Sequence, residues 1–205
     1  MQQKKPNLIF LTGFSTAGKS TIGPILANAL GYRFIDIDKA IMEKEKKSVV
    51  EIFNEKGEAY FRQLEYEILQ QYVQAENLVV ALGGGTLEND KSFEIVKESG
   101  TLIYLKSEVD TLTKRLASKD DRPLMKAENG ERLSVEDLHR RVKQLLMSRE
   151  ERYQSHAVIS ISTDQTPIGK TVEMLTRQVE KYQKEQMRLS EKQEGWNRPS
   201  QLSNE

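Results

Sequence analysis

The 205-residue chain has no cysteine, no excess of charge of either sign and no long apolar run. The absence of cysteine excludes disulfide bonds and thiol catalysis, and it is compatible with a reducing cytoplasm. Lysine plus arginine equals aspartate plus glutamate at 31 each, so no charge imbalance favours nucleic acid or an anionic membrane. No stretch approaches the roughly 18 apolar residues of a membrane span, and the first apolar run is too short for a signal peptide. We therefore expect a cytoplasmic protein that binds neither nucleic acid nor membrane.

Apolar patterning predicts an α/β fold. Hydrophobic residues make up 37% of the chain, which is long enough to bury a core. Most of the short apolar runs are continuous rather than alternating, as expected of strands covered on both faces. Helical patterns separate these runs, so we expect a mostly parallel sheet of five strands flanked by helices. The predicted strands are residues 8–12, 34–37, 78–82, 102–105 and 157–161.

The segment Gly13-Phe14-Ser15-Thr16-Ala17-Gly18-Lys19-Ser20 fits the pattern G-x-x-x-x-G-K-[ST] between a strand and an amphipathic helix. This context predicts a P-loop, in which backbone N–H groups and the positive end of a helix dipole surround phosphate oxygens. Lys19 can reach the β- and γ-phosphates of a nucleotide, and Ser20 can place a hydroxyl on Mg²⁺. The alternative is a plain glycine-rich turn.

Asp36-Ile37-Asp38 follows the second predicted strand. If the strand continues to Asp38, both carboxylates project from the same side at the edge where ligands bind in open α/β sheets. One carboxylate could then serve a metal and the other an acceptor hydroxyl. The alternative is that Asp38 caps the following helix, since Asp favours that position. The chain lacks the Asp-x-x-Gly and Asn-Lys-x-Asp motifs of GTPases.

Four arginines and a triple glycine are the remaining candidates. Arg149 lies on an apolar helical stripe and should face inward, where a guanidinium needs an anion. Arg122 lies in a charged turn suited to a mobile lid. Gly83-Gly84-Gly85 after an apolar strand predicts a backbone that another group approaches closely. For Arg62 and Arg115, as for any surface arginine, the alternative is a solvated charge.

Taken together, the chain resembles a bacterial shikimate kinase over about residues 7–185. The ordered matches are the P-loop, Asp36-Ile37-Asp38, residues 58–65, Gly83-Gly84-Gly85, Arg122-Pro123-Leu124, and Arg149 with Tyr153. The resemblance implies a three-layer P-loop kinase fold with a mobile lid at about residues 114–132. It also implies transfer of the γ-phosphoryl group of MgATP to the 3-hydroxyl of shikimate, a step toward aromatic amino acids, by an enzyme that we expect to be a monomer.

The resemblance also implies a role for individual residues. It gives catalytic roles to Lys19, Asp38 and Arg122, with Asp38 meeting the shikimate hydroxyls and acting as base. It gives the metal site to Ser20 and Asp36. The residues implied in ATP binding are Thr16, Ala17, Gly18, Lys19, Ser20, Thr21, Arg115, Arg122 and Gln165. The residues implied in shikimate binding are Asp38, Arg62, Gly84, Gly85 and Arg149, with the two arginines on the carboxylate.

The chain departs from the family pattern at two motifs. Thr16 stands where the family usually has glycine, and a β-branched residue fits a positive φ poorly, so we expect this turn to differ. Glu150-Glu151-Arg152-Tyr153 lacks a proline that often follows the equivalent of Arg149. After Met187 the helical pattern stops, so we expect a domain at residues 1–187 and a disordered tail at 188–205. The rival hypotheses are a kinase for another polyol acid, such as gluconate, and a nucleotide-binding module without turnover.

Overall fold

The apolar runs form one five-stranded parallel sheet in the computed structural model, which describes residues 5–119, 123–125 and 131–196. The spatial order is β2-β3-β1-β4-β5. Every residue of the central strands β1 and β3 is buried, because helices cover both faces of the sheet. The predicted α/β fold with five strands is confirmed. The strands are β1 (Leu8–Thr12), β2 (Arg33–Asp36), β3 (Leu78–Ala81), β4 (Thr101–Lys106) and β5 (Ile159–Ser162).

Seven α-helices occupy the described part of the chain. Ser48 caps the start of the third helix in a capping box. Its hydroxyl accepts a hydrogen bond from the Glu51 backbone N–H, and the Glu51 carboxylate accepts one from the Ser48 backbone N–H. Gly57, with φ 78°, kinks that same helix rather than ending it. Two short 3₁₀ helices lie at Thr86–Glu88 and Pro123–Met125. The α-helices are α1 (Lys19–Leu30), α2 (Ile37–Glu45), α3 (Val49–Gln70), α4 (Asp90–Ser99), α5 (Val109–Ala117), α6 (Val135–Ser155) and α7 (Ile168–Trp196).

The topology places the candidate motifs at one edge of the sheet. All pairings are parallel, so the carboxyl ends of the strands meet on the same side. The chain leaves β1 toward β2 and β3 and later crosses to β4 and β5 on the other flank. This reversal creates a crevice beyond the carboxyl ends of the strands, which is the usual ligand site of such sheets.

Four of the five strands differ from their predicted bounds by one or two residues at an end, and two of the predicted boundaries matter for the site and the tail. Strand β2 ends at Asp36, so it does not continue to Asp38. Helix α7 continues to Trp196 instead of ending near Met187, because residues 188–196 combine good helix formers without a glycine until residue 195. The predicted lid begins inside α5, and its residues 120–122 and 126–130 lie outside the described residues. No described helix combines the length and apolar character that crossing a bilayer requires.

Candidate active site

The turn between β1 and α1 has the backbone geometry of a phosphate-binding loop. Gly18 adopts φ 104°, a conformation that favours glycine, and it is the N-cap of α1. The Lys19 ammonium group is buried and donates hydrogen bonds to the carbonyl oxygens of Gly13 at 2.6 Å and Phe14 at 2.9 Å. The loop therefore presents the start of a helix and a positive charge to the same space.

Thr16 adopts a left-handed φ of 67° although it is β-branched. The poor fit of a β-branched residue to a positive φ, which led us to expect a different turn, therefore does not prevent this conformation. Contacts on both sides hold the residue: its hydroxyl donates to the carbonyl of Leu112 at 3.4 Å, and its own carbonyl accepts from Arg115 at 3.3 Å. These bonds tie the loop to helix α5 and offset the strain of the backbone, typically about 1–3 kcal/mol.

A cavity of about 410 Å³, which we call the P-loop cavity, opens around this turn. Arg115 lines it and also donates to the Thr163 carbonyl at 3.1 Å, so it joins α5 to the segment after β5. Gln165 is exposed and is not among the described lining residues, whereas Thr163 and Ile168 on either side are. Arg122 lies outside the described residues. The predicted ATP-binding residues that line the P-loop cavity are Thr16, Ala17, Gly18, Lys19, Ser20, Thr21 and Arg115.

Ser20, in the first turn of α1, and Asp36, at the end of β2, bring together two oxygen atoms that could bind a metal. The Ser20 hydroxyl donates to Oδ2 of Asp36 at 2.6 Å, and the other oxygen of Asp36 caps α2 by accepting from the Lys39 N–H at 3.3 Å. A hydroxyl and one carboxylate suit Mg²⁺, which takes oxygen ligands and is usually completed by substrate phosphates. Within the described ranges, no three acidic, histidine or cysteine side chains are arranged to hold a metal ion, so a metal here would depend on its substrate for further ligands.

Asp38 reaches the site by a route other than the predicted one. Strand β2 stops at Asp36, which is the N-cap of α2, and Asp38 lies in the first turn of that helix. The prediction of two carboxylates along one strand face is therefore wrong, as is the alternative in which Asp38 is the cap. The helix turn still brings the half-buried Asp38 to the P-loop cavity and to a second cavity.

This second cavity, which we call the arginine cavity, measures about 590 Å³. Helices α3 and α6 supply Arg62 and Arg149, and the loop after β3 supplies the triple glycine. All five predicted shikimate-binding residues line it, together with Arg141. Its described lining comprises Ser15, Asp38, Val49, Phe53, Glu58, Phe61, Arg62, Glu65, Gly83, Gly84, Gly85, Leu124, Arg141, Gln144, Leu145, Ser148 and Arg149.

Arg62 is held by two carboxylates of its own helix. It donates to Glu65 at 2.5 Å and to Glu58 at 2.9 and 3.2 Å, positions three and four residues away on the same face. Glu65 is fully buried and also accepts from the Thr86 hydroxyl at 2.5 Å. Burial raises the pKa of Glu65 and the nearby Asp38 charge adds to this, while Arg62 and Thr86 oppose the shift. The guanidinium therefore has a fixed orientation and a compensated charge.

The triple glycine is required by close approach. A Cβ on Gly83 would collide with Glu65, Asp38 and Thr86, and a Cβ on Gly85 would collide with the Arg62 guanidinium. A Cβ on Gly84 would lie 3.0 Å from the backbone nitrogen of Ser15 in the P-loop. The expectation of a closely approached backbone is confirmed, and Gly84 lies at the contact between the two loops.

Arg149 reaches the cavity from α6, where Leu138, Val142 and Leu146 form the buried stripe. Its guanidinium donates to the Gly84 carbonyl at 3.2 Å. Arg152, three residues on, turns away and donates to the Leu87 carbonyl and to Asp90, both at 2.8 Å. Without the family's proline, α6 runs unbroken through this segment to Ser155.

The P-loop cavity and the arginine cavity share a wall made of Ser15, Asp38 and Gly84. A group bound by the P-loop and a group bound by the arginines would therefore meet at this wall, beside a carboxylate. Such a geometry suits transfer of a phosphoryl group between two ligands, in which positioning and charge stabilisation supply most of the catalysis.

Sequence reasoning missed Glu65 and Ser15 as residues of the site. The spacing of Glu58, Arg62 and Glu65 on one predicted helix was a usable signal for the ion pairs, because side chains three and four apart are neighbours. Ser15 lies inside the predicted P-loop, but no local pattern indicates that it also lines the arginine cavity, since that depends on its contact with the loop after β3.

Comparison with known proteins gives a consistent result. A sequence model described as shikimate kinase matches residues 15–180. A shikimate kinase of Chloroherpeton thalassium is 63% identical over 179 residues, covering 87% of this chain and 95% of that protein. A shikimate kinase of Chlorobium chlorochromatii is 53% identical over 180 residues, covering 88% of this chain and 94% of that protein. The solved structure of a shikimate kinase from Acinetobacter baumannii in complex with shikimate has a TM-score of 0.78 at 29% identity, covering 86% of this chain and 94% of that one.

The matched region contains all the described lining residues of both cavities, and it leaves out residues 1–14, which include β1, and residues 181–205. The resemblance expected from the sequence is therefore confirmed. The chain belongs to the shikimate kinase family, and it is accordingly an ATP-dependent phosphotransferase.

Proposed function

We propose that this protein transfers the γ-phosphoryl group of ATP to the 3-hydroxyl of shikimate, with ATP in the P-loop cavity and shikimate in the arginine cavity. The observation that carries this assignment is the wall of Ser15, Asp38 and Gly84 common to both cavities. Two ligands bound on its two sides have their reacting atoms next to each other, as in-line transfer requires.

On the P-loop side, Lys19 and the backbone N–H groups after Gly13 hold the phosphates. Their charges compensate the negative charge that spreads over the transferring oxygens. Arg115, which lines this cavity, would pack against the nucleotide base, and Arg122, which lies outside the described residues, would add a guanidinium to the transferring phosphate.

Ser20 and Asp36 would hold Mg²⁺, which supplies charge neutralisation at the phosphates when bound. The support is their hydrogen bond of 2.6 Å, which shows that the hydroxyl and carboxylate oxygens already converge. The cap that Asp36 gives to α2 fixes the direction of its carboxylate, so the site is preorganised.

On the other side, Arg62 and Arg149 bind the shikimate carboxylate, because guanidinium groups suit a planar anion. The remaining hydroxyls meet Asp38 and the backbone of Gly84 and Gly85. Asp38 accepts the proton of the 3-hydroxyl as its oxygen attacks the γ-phosphorus, and ADP leaves on the P-loop side.

An acceptor panel tests this assignment. ADP release with MgATP is measured with shikimate, quinate and gluconate, and NMR of the product locates the phosphate. Shikimate should stimulate ADP release most strongly and carry the phosphate at its 3-hydroxyl. Stronger stimulation by gluconate would favour the rival polyol-acid kinase. The Lys19→Met variant serves as the control for contaminating ATPases.

The proposal includes a monomer that works in the cytoplasm. All the residues assigned above come from one chain, so no second copy is needed to complete the site. Sedimentation of the active enzyme at assay concentration tests the monomer, since a dimer would have about twice the mass.

A further inference from the structure

Two tyrosines pack side by side behind the arginine cavity. Tyr104 on β4 and Tyr153 on α6 are each 1% exposed, and their ring centroids lie 5.4 Å apart. The Tyr153 hydroxyl donates to the Gly84 carbonyl at 2.5 Å. The Tyr104 hydroxyl makes no close hydrogen bond in the described part of the chain, and its polar neighbour is the Glu150 side chain rather than Gly84. Since buried hydroxyls usually find a partner, only one member of this pair is connected to the cavity.

The Gly84 carbonyl accepts two hydrogen bonds from α6. Arg149 donates the second one, at 3.2 Å, and it lies one helical turn before Tyr153 on the same face. The two bonds fill both acceptor positions of the carbonyl oxygen. Burial raises the pKa of Tyr153 more than the Arg149 charge lowers it, so the hydroxyl stays a donor at neutral pH.

These two hydrogen bonds, which together we call the anchor, matter because the anchored loop after β3 consists of three glycines. Three residues without side chains have wide conformational freedom, and a peptide between two of them can rotate at little steric cost. All the peptides here are trans, so the Gly84 C=O and the Gly85 N–H point in opposite directions. A bond that fixes the Gly84 carbonyl therefore also fixes the Gly85 N–H, in a loop that lines the arginine cavity.

We infer that Tyr153 is a positioning residue for the acceptor: its hydroxyl holds the Gly84 carbonyl, so that the Gly84–Gly85 peptide and the Arg149 guanidinium keep one orientation toward the bound substrate. Tyr153 is not among the described residues that line the arginine cavity, so it acts through these two groups. The identity of the acceptor rests on the proposed function, whereas the anchor itself rests on the hydrogen bonds.

The pair supplies its own matched control. Tyr153→Phe and Tyr104→Phe each remove one hydroxyl from adjacent rings of equal burial. Steady-state kinetics then give the KM for shikimate, the KM for ATP and kcat, and thermal unfolding gives Tm. Tyr153→Phe should raise the shikimate KM by about 3- to 10-fold, the range expected for one lost hydrogen bond, and leave the ATP KM unchanged. Tyr104→Phe should change neither KM.

A double variant tests the route of the effect. In an Arg149→Ala background, Tyr153→Phe should raise the shikimate KM by a smaller factor, because one of the two groups that it positions is already missing. A fall in Tm with both KM values unchanged would overturn the inference, as would an equal rise in both KM values or the same shikimate KM effect in Tyr104→Phe. If the acceptor panel favours another acid, that acid replaces shikimate in the same comparison, so the two proposals fail separately.

Discussion

The P-loop cavity takes eight of its lining residues from one uninterrupted stretch, residues 15–22, and uses backbone groups and a helix end to bind. The arginine cavity instead collects groups from the P-loop turn, α2, α3, the loop after β3, the 3₁₀ helix at Pro123–Met125 and α6. A site made from one turn keeps its geometry wherever that turn folds. A site made from six separate segments depends on the packing that brings them together, and its buried charged groups, such as Arg62, need partners such as Glu65.

The largest effect is expected at the wall that belongs to both cavities. Asp38→Asn keeps the size of the side chain and removes its capacity to take a proton. We expect kcat to fall by roughly 10²–10⁴-fold, the usual contribution of a general base, with no recovery when Mg²⁺ is raised. A change confined to either KM would mean that Asp38 orients a substrate without accepting its proton.

Arg62→Ala should separate the two cavities. Loss of the guanidinium removes a contact to the acceptor carboxylate, so the shikimate KM should rise by roughly 30- to 5,000-fold, while the ATP KM changes little. Arg152→Ala is the control, because Arg152 bonds to Leu87 and Asp90 outside the cavity. Equal losses in the two variants, or a matching rise in the ATP KM, would contradict the division into two sites.

Arg62→Ala should also lower the free energy of unfolding by about 3–5 kcal/mol, because it leaves the Glu65 carboxylate buried without its cation. Burial already raises the pKa of Glu65 in the folded state with Arg62 present, and removal of the Arg62 charge should raise that pKa further. The loss should therefore be small at acidic pH and should grow as pH rises through that pKa. Urea unfolding across pH measures this, and adding Glu65→Gln should restore most of the lost free energy and flatten its pH dependence.

Asp36→Asn should affect the P-loop side and leave acceptor binding intact. Asn can still cap α2, so the fold should persist. The loss of charge weakens the metal site, and we expect activity to fall by about 10- to 100-fold and to recover partly at high Mg²⁺. Titration of activity against Mg²⁺ in Asp36→Asn and Asp38→Asn checks this, since identical magnesium responses would remove the distinction between the two carboxylates.

The smallest effect is expected at Thr16, where strain lies within the P-loop. Thr16→Gly relieves a positive φ and loses the bond to the Leu112 carbonyl, so the free energy of unfolding should rise by about 1 kcal/mol. Chemical denaturation measures the change, and Thr21→Gly, in the first turn of α1, is a control that should destabilise. A less stable Thr16→Gly variant would show that the hydroxyl contact outweighs the backbone strain.

The contrast between the cavities also explains which features of the structure could be predicted from the sequence. The P-loop and the five strands were predictable because both are local patterns of neighbouring residues. The arrangement expected for Asp38 was wrong because strand β2 ends at Asp36, one residue before its predicted end, and a helix cap at Asp36 redirects the chain. The end of α7 was wrong because loss of an apolar stripe does not by itself end a run of good helix formers.

The contacts around the triple glycine could not be read from local pattern. Nothing near Gly84 in the sequence indicates that Ser15, Arg149 and Tyr153 all meet it, since each comes from a distant part of the chain. The tail was expected to be disordered from residue 188. Its helical part ends at Trp196, and disorder beyond that point remains a prediction, because residues 197–205 lie outside the described ranges.

The wall of Ser15, Asp38 and Gly84 has a thermodynamic consequence. Any shift in this wall caused by a nucleotide changes the cavity offered to the acceptor, so the two binding equilibria are linked. Linkage is reciprocal: the factor by which ATP changes the dissociation constant of shikimate must equal the factor by which shikimate changes that of ATP. The shared wall thus adds one coupling free energy to the ternary complex, and that same amount changes the binding of whichever substrate arrives second.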